Sequence, residues 1–458
     1  MARLDEKEFA AAARRANEVY DVQEEPAARD PGDASAKRRR KKKGKKKHSS
    51  NATPTDRPTG SKLPPVRGVT GFTDSYIATG QTDPPSIPIR QLFAAENAYP
   101  EGEKQDYAED FVLQRSSQAE LRAQMRDDED FMLQSLRQAA EVHRHVRKFA
   151  QSLMKPGVSL FELCCRLEDK NRELVEEAGP QRGIAFPTGC SLNHVAAHYT
   201  PNTVADKTVL SYDDVMKLDI GTHVNGYTVD SAFTVAFNPQ YDELLEAVKA
   251  ATNEGVRSAG VDVQLGELGG AIQEVMESYE VTINGKTYPV KAIRNLCGHT
   301  IEKGRVHGDK SVSSIKTGST VKMEEGEIYA IETFGSTGRG YVDSDGECSH
   351  YARNMKATHV PIESARTKKL LAHLTRTFGS MPFCRRWLEL PSGGSAFVNP
   401  KGAKQERYLM ALRELVNKGI VNAYPPLVDI RGSYTAQYEH TLVLRSMGKE
   451  VMSRGDDY

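Results

Sequence analysis

Apolar residues first fall into register near the end of the chain's first third. Met132, Leu136, Ala139, Val142, Val146, Phe149 and Leu153 recur at spacings of three and four. That stripe predicts an amphipathic helix over 129–154, stopped by Lys155, Pro156 and Gly157. Ser159 followed by Glu162 is a capping box, opening a second helix to about Glu177, before Gly179. His143 and His145 are expected at solvated positions of the first helix. Beyond residue 205 the pattern turns to strands, and helical periodicity returns at 241–260, 266–279, 367–378 and 403–418. A mixed α+β body follows.

Before the first helix the pattern is poor. Between Tyr20 and Val66 there are almost no large apolar residues, and Ser, Thr, Pro, Gly and Lys dominate from 27 to 68. Such a stretch cannot offset the entropy of ordering, so residues 1–66 are expected to be a disordered tail. Pro84, Pro85, Pro88 and Pro100 among isolated apolar residues predict an extended arm over 67–105. The folded body is then expected to span 106–458.

The 458 residues carry 62 basic and 62 acidic side chains, so no global field points to nucleic acid or membrane. The balance hides an asymmetry, because ten of the eleven residues from Lys37 to Lys47 are basic and the remainder is acidic by about ten charges. The block is compatible with a nuclear-import signal, a solubilising tail, or a ribosome or RNA contact. Without interleaved aromatics such a contact would be nonspecific phosphate attraction. Asp5, Glu6, Glu8 and Glu18 interrupt any signal-peptide pattern, and no run of eighteen apolar residues occurs. Cys164, Cys165, Cys190, Cys297, Cys348 and Cys384 form no CxxC pair. That argues against a disulfide framework or a zinc ribbon and fits a reducing, cytoplasmic location.

Chemistry concentrates where the strands begin. Residues 215–220 read as a strand, Asn225–Gly226 as a type I′ turn, and 227–237 as the returning strand. Facing residues then have numbers summing to 451, which sets Asp219 against Ala232 and Asp230 against Gly221. The two aspartates share one face, diagonally adjacent, their side-chain roots roughly 7–8 Å apart. Two buried anions without a cation would repel until one protonated, a conflict that a metal ion or a pair of them resolves. Met216 against Val235 and Leu218 against Phe233 occupy the other face, which must be covered. Three more buried-looking strands each carry a lone polar residue that is expensive to bury alone: His299 in 297–300, Glu332 in 328–333 and Glu439 in 434–444. Two Asp, one His and two Glu suit Mn, Fe(II), Co or Zn, and suffice for two divalent ions with shared ligands.

Five stretches carrying these residues resemble the eukaryotic type 2 methionine aminopeptidases of peptidase family M24. They are FPTGCSLNHVAAHYTPN (186–202), KLDIGTHVNGYTVDSAFTV (217–235), NLCGHTIEKGRVHG (295–308), YAIETFGSTG (329–338) and YTAQYEHTLVLR (434–445). The resemblance runs from about Val66 to the final SRGDDY and leaves out the tail and an insertion near 391–405. It implies an α+β pita-bread fold, two pseudo-symmetric αβ halves around a central antiparallel sheet. The 106 residues between Glu332 and Glu439 hold the helical insertion, about 365–425, that distinguishes type 2 from type 1.

The same resemblance implies a site. Asp230 and Glu439 would bridge two divalent ions (Co, Mn, Fe(II) or Zn), Asp219 would hold one, and His299 with Glu332 the other. His198 and His307 would contact the substrate or its tetrahedral intermediate, and Glu332 would shuttle the proton. Phe186, His359 and Tyr424 would receive the methionine side chain. His194 and His223 match no ligand position and are read as structural. The implied reaction is removal of the initiator methionine from nascent chains with a small, uncharged second residue, by attack of a metal-bridged hydroxide on the first peptide bond. Two rivals share the site pattern or fold: an X-Pro aminopeptidase or dipeptidase, and a non-catalytic ribosome- or RNA-binding relative. The tail is a possible contact for ribosome, RNA or a translation initiation factor, and a monomer without membrane association is expected.

Overall fold

The structure, a computed structural model, describes Arg67, residues 79–93, 99–106, 119–390 and 405–458, with the backbone alone at 119–128 and 405–407. The tail with its Lys37–Lys47 block, and nearly all of the 391–405 insertion, lie outside the described residues.

The first helix, α1 (Ala119–Leu153), begins ten residues before the predicted start at 129. The second, α2 (Leu160–Val175), is capped by Ser159, whose side chain accepts the Glu162 amide. Next come β1 (Gly189–Leu192), β2 (Met216–Val224) and β3 (Tyr227–Val235), then α3 (Asp242–Ser258) and α4 (Leu265–Met276). Two long-range strands follow, β4 (Cys297–Ile301) and β5 (Ile328–Ser336). β6 (His350–Arg353) comes next; the 365–425 stretch then supplies α5 (Ala365–Thr377), α6 (Arg385–Glu389), α7 (Gln405–Asn417) and β7 (Val421–Tyr424), and the chain returns through β8 (Thr435–Arg445).

Two antiparallel sheets meet at the centre. In one, Arg182–Ile184 and β1 pair with the two ends of β2 while β3 pairs along its whole length; the other runs β8–β5–β4 and extends at both edges. Helices α1 and α2 cover the hairpin half and α3 and α4 the other, so the architecture is the expected pair of αβ halves. Met216, Leu218, Phe233 and Val235 are fully buried beneath the helices, each contributing roughly 1.5–3 kcal/mol through burial. The insertion packs a separate core around Leu370, Leu374, Trp387, Leu388, Tyr408 and Leu415.

Two expectations fail. The arm does not stay outside regular structure: it forms a helical turn at Ile89–Leu92 and a strand, Glu103–Gln105, that pairs with Gly448–Val451 at the sheet edge. His143 and His145 are not solvated but buried. Helix α1 is enclosed over 135–143, because β2, β3 and α2 pack on it and the chain's last residues close over Arg147. His143 Nε2 meets the Ile220 carbonyl at 2.8 Å, and His145 sits between Glu141 and Gln81. Arg147 donates to both Asp457 oxygens and to the Ser453 carbonyl. These partners come from remote segments, which helical periodicity cannot see.

Candidate metal centre

The β2–β3 hairpin places its aspartates as the turn chemistry dictates. Asn225 (φ 54°) and Gly226 (φ 83°) adopt the left-handed conformations of a type I′ turn. The register pairs Asp219 with Ala232 and Asp230 with Gly221. Gly221 cannot carry a side chain, since a Cβ there would lie 2.2 Å from the Phe186 ring. The missing atom is the space in which Phe186 lies.

The second half supplies three more groups from strands far apart in sequence. Glu332 on β5 lies directly opposite Glu439 on β8, and His299 on β4 lies opposite Ala330, two residues before Glu332. Hydroxyls join the halves where β3 runs beside β8. Thr441 Oγ1 accepts the Asp230 amide (2.8 Å) and donates to the Asp230 carbonyl (2.6 Å). Thr234 does the same for Gln437, at 2.8 and 2.7 Å. Ser231 Oγ donates to the Glu439 carbonyl at 2.6 Å. Asp230 and Glu439 are thereby held face to face.

Ligand atoms of Asp230, His299 and Glu439 all lie within 4.8 Å of one another. His299 Nε2 is 3.8 Å from both Asp230 Oδ2 and Glu332 Oε1. Its Nδ1 meets the Thr300 carbonyl at 3.1 Å; with the proton there, Nε2 carries the lone pair. Gln437 Nε2 donates to Glu332 Oε2 (3.1 Å) and Asp219 Oδ2 (3.4 Å). Asp219 Oδ1 and Glu439 Oε2 are buried with no hydrogen-bond partner. Among the described residues, no ion pair gives these carboxylates a lysine or arginine.

The electrostatics follow. Burial pushes Asp219 up to about 6, opposed by the Gln437 hydrogen bond. Burial, and then the neighbouring carboxylates, hold Asp230, Glu332 and Glu439 well above the usual carboxylate range. Burial lowers His299 and His198 to about 4, and burial with the adjacent imidazoles holds His307 well below its usual value. Four desolvated carboxylates, two orphaned oxygens and a neutral imidazole make a hard donor set that fits divalent cations.

A cavity of about 710 Å³ opens beside this cluster, lined by all five candidate ligands and by His198, His307, Phe186 and Tyr424. The His307 ring lies 4.2 Å from that of His299, and the His198 ring 5.9 Å from Tyr424. His359 is not brought here: it is exposed, beyond the end of β6, and lines no part of the cavity. His350 stands in the wall instead, placed by its register opposite Tyr424. Reading the sequence misses His350 because the pairing partner lies over seventy residues away. Gln437 is missed too, though its position two residues before Glu439 puts it on the same strand face. His194 and His223 do not line the cavity.

Residues 134–367 match the model of metallopeptidase family M24. Methionine aminopeptidase 2 of Schizosaccharomyces pombe is 56% identical over 378 residues, covering 82% of this chain and 85% of that one. Methionine aminopeptidase 2A of Arabidopsis thaliana is 53% identical over 378 residues, covering 82% of each. A solved structure of a thermophilic Arx1 superposes with a TM-score of 0.55 at 17% identity, over 69% of this chain and 88% of that one, a likeness of fold alone. The fold is the pita bread that the two helix-covered halves describe. With a family model matched over 134–367 and relatives 53–56% identical over 82% of its length, the chain belongs to metallopeptidase family M24, among its type 2 methionine aminopeptidases.

Proposed function

We propose that Asp219, Asp230, His299, Glu332 and Glu439 hold a pair of divalent cations and that the adjoining cavity receives an N-terminal methionine. The chain is a metal-dependent methionyl aminopeptidase, and the X-Pro and non-catalytic readings are not favoured. The observation that carries the site assignment is the convergence of four desolvated carboxylates with no lysine or arginine among the described residues paired to them. When bound, the cations supply Lewis acidity, acidifying water toward neutrality and polarising a carbonyl. The metals' identity is one of Mn, Co, Fe(II) or Zn.

The chain's own groups do the rest. Glu332, held at Oε2 by Gln437, takes up and returns the proton, a role worth roughly 10²- to 10⁴-fold in rate. His198 and His307, kept neutral by burial, each present one N–H to the amide and to the developing oxyanion. Phe186, His350 and Tyr424 wall the methionine pocket. A large or charged second residue is disfavoured because a buried site rejects misfits by steric and desolvation terms. No helix among the described residues is long and apolar enough to cross a membrane. The reading places the enzyme in the cytoplasm as a monomer acting on nascent chains, with the Lys37–Lys47 block attracting phosphate-rich ribosome or RNA surfaces, or an initiation factor.

The test is methionine release from Met-Ala-Ser and Met-Lys-Ser by chelated protein, by Mn- or Co-reloaded protein, and by Asp230→Asn. Cleavage of Met-Ala-Ser only after reloading, absent in the variant and far slower for Met-Lys-Ser, is expected. Metal-independent cleavage, or equal release from both peptides, would overturn the reading.

A further inference from the structure

The insertion reaches the cavity through a buried cross-link. Glu168, on α2, is 2% exposed. Its carboxylate accepts from Arg386 Nη2, from Trp387 Nε1 at 2.7 Å and from the Thr188 amide at 3.2 Å. Arg386, on α6 and 1% exposed, turns its other amino group to Thr200 Oγ1 (2.9 Å) and the Pro201 carbonyl (2.6 Å). The Thr200 amide donates to Ser349 Oγ (3.3 Å), and that hydroxyl donates to the carbonyl of His198 (3.0 Å). One carboxylate and one guanidinium thus tie down both edges of the cavity wall, Thr188 just after Phe186 and Thr200 just after His198.

The wall needs such support. His198 has φ 65°, in the left-handed region that is sterically costly for a non-glycine residue and persists only where surrounding contacts over-determine it. Arginine's planar fork can satisfy carboxylate, hydroxyl and carbonyl together, which a lysine cannot. We propose that Glu168, Arg386 and Trp387 are positioning residues for the reaction, holding His198 and Phe186 in their working geometry, so that the insertion acts on catalysis through this clamp. The proposal rests on the reading of the cavity as the methionine site.

Trp387 is the chain's single tryptophan, so its fluorescence reports the clamp without a label. Thr200→Val removes the hydroxyl that Arg386 grips and touches no metal ligand; Thr200→Ser keeps it. With full-length Mn-loaded protein, Thr200→Val is expected to lower kcat on Met-Ala-Ser by about 10²-fold, the cost of a misplacement near 1 Å. Its KM and its Mn affinity should stay within about threefold of wild type, and Thr200→Ser should restore kcat. L-Methionine should shift Trp387 emission in wild type and Thr200→Ser but not in Thr200→Val. Glu168→Gln should behave as Thr200→Val; if it fails to fold, the threonine pair decides. Wild-type kcat in Thr200→Val, or a serine variant as slow as the valine one, would overturn the clamp while leaving the aminopeptidase reading intact. A wild-type enzyme that releases no methionine would overturn both.

Discussion

Two buried acidic regions lie on either side of the β2–β3 hairpin, and they solve the same problem in opposite ways. On α1, Glu141 receives Arg144 at 2.6 and 2.9 Å and His145 at 3.0 Å. Burial would raise its pKa, but those partners bring it down to about 2. In the central cluster burial acts on four carboxylates, no lysine or arginine among the described residues pairs with them, and all four are raised. The first site is complete with protein atoms alone. The second reaches neutrality only by taking up protons or cations, which marks it as a site for something from outside.

The largest expected break in that contrast is Glu439→Gln, which removes a charge and the oxygen that now has no partner. Losing an outer support of a metal ligand costs about 10- to 100-fold in affinity, so loss of a ligand should exceed 100-fold in a MnCl₂ titration, with turnover of Met-Ala-Ser lost in parallel. Wild-type Mn affinity in this variant would remove Glu439 from the site.

The pH dependence sharpens the contrast through its sign. In the metal-free fold the cluster carboxyls keep protons that the unfolded chain has released, so their contribution to stability falls as pH rises above the usual carboxylate range, through about 6 for Asp219 and in the same direction for the others. Bound cations take the protons' place. The Tm difference between Mn-loaded and chelated protein should therefore widen steadily from pH 5 to pH 8. Glu141 works the other way: its contribution is complete above about 4.5 and lost as pH falls toward about 2, so it is silent across that window. A constant Tm difference would mean that the carboxyls do not titrate with metal.

The smallest effect is expected of Gln437→Leu. The amide steadies Asp219 and Glu332 without being charged, so its loss should weaken Mn binding by about 10- to 100-fold and leave the fold's metal-free Tm close to wild type. An unchanged Mn affinity would make the contact incidental.

Legibility in the sequence follows how locally each feature is determined. The hairpin could be written down residue by residue because two left-handed turn positions fix its register. The cap of α2 is similarly local, as Ser159 shows. Glu332 and Glu439 could be picked as oddities in apolar strands, but that they face each other is a long-range register no short pattern encodes. The resemblance, not the spacing, joined them into one site. His350 escapes a reading of the sequence for the same reason, since only the β6–β7 pairing reveals which histidine stands beside Tyr424. His143 and His145 looked solvated because their partners arrive from the arm, from β2 and from the chain's far end.

The junction of β3 and β8 has a further consequence. Two threonines, one from each strand, stand where a ladder of amides and carbonyls could have run, and each serves both backbone groups of a residue on the opposite side. Valine has the silhouette of threonine but would strand four main-chain dipoles away from water. Serine, smaller and looser, would keep every one of them satisfied. The middle of the molecule is therefore specified by chemistry where it looks specified by shape, and a substitution judged there by volume would be ranked in the wrong order.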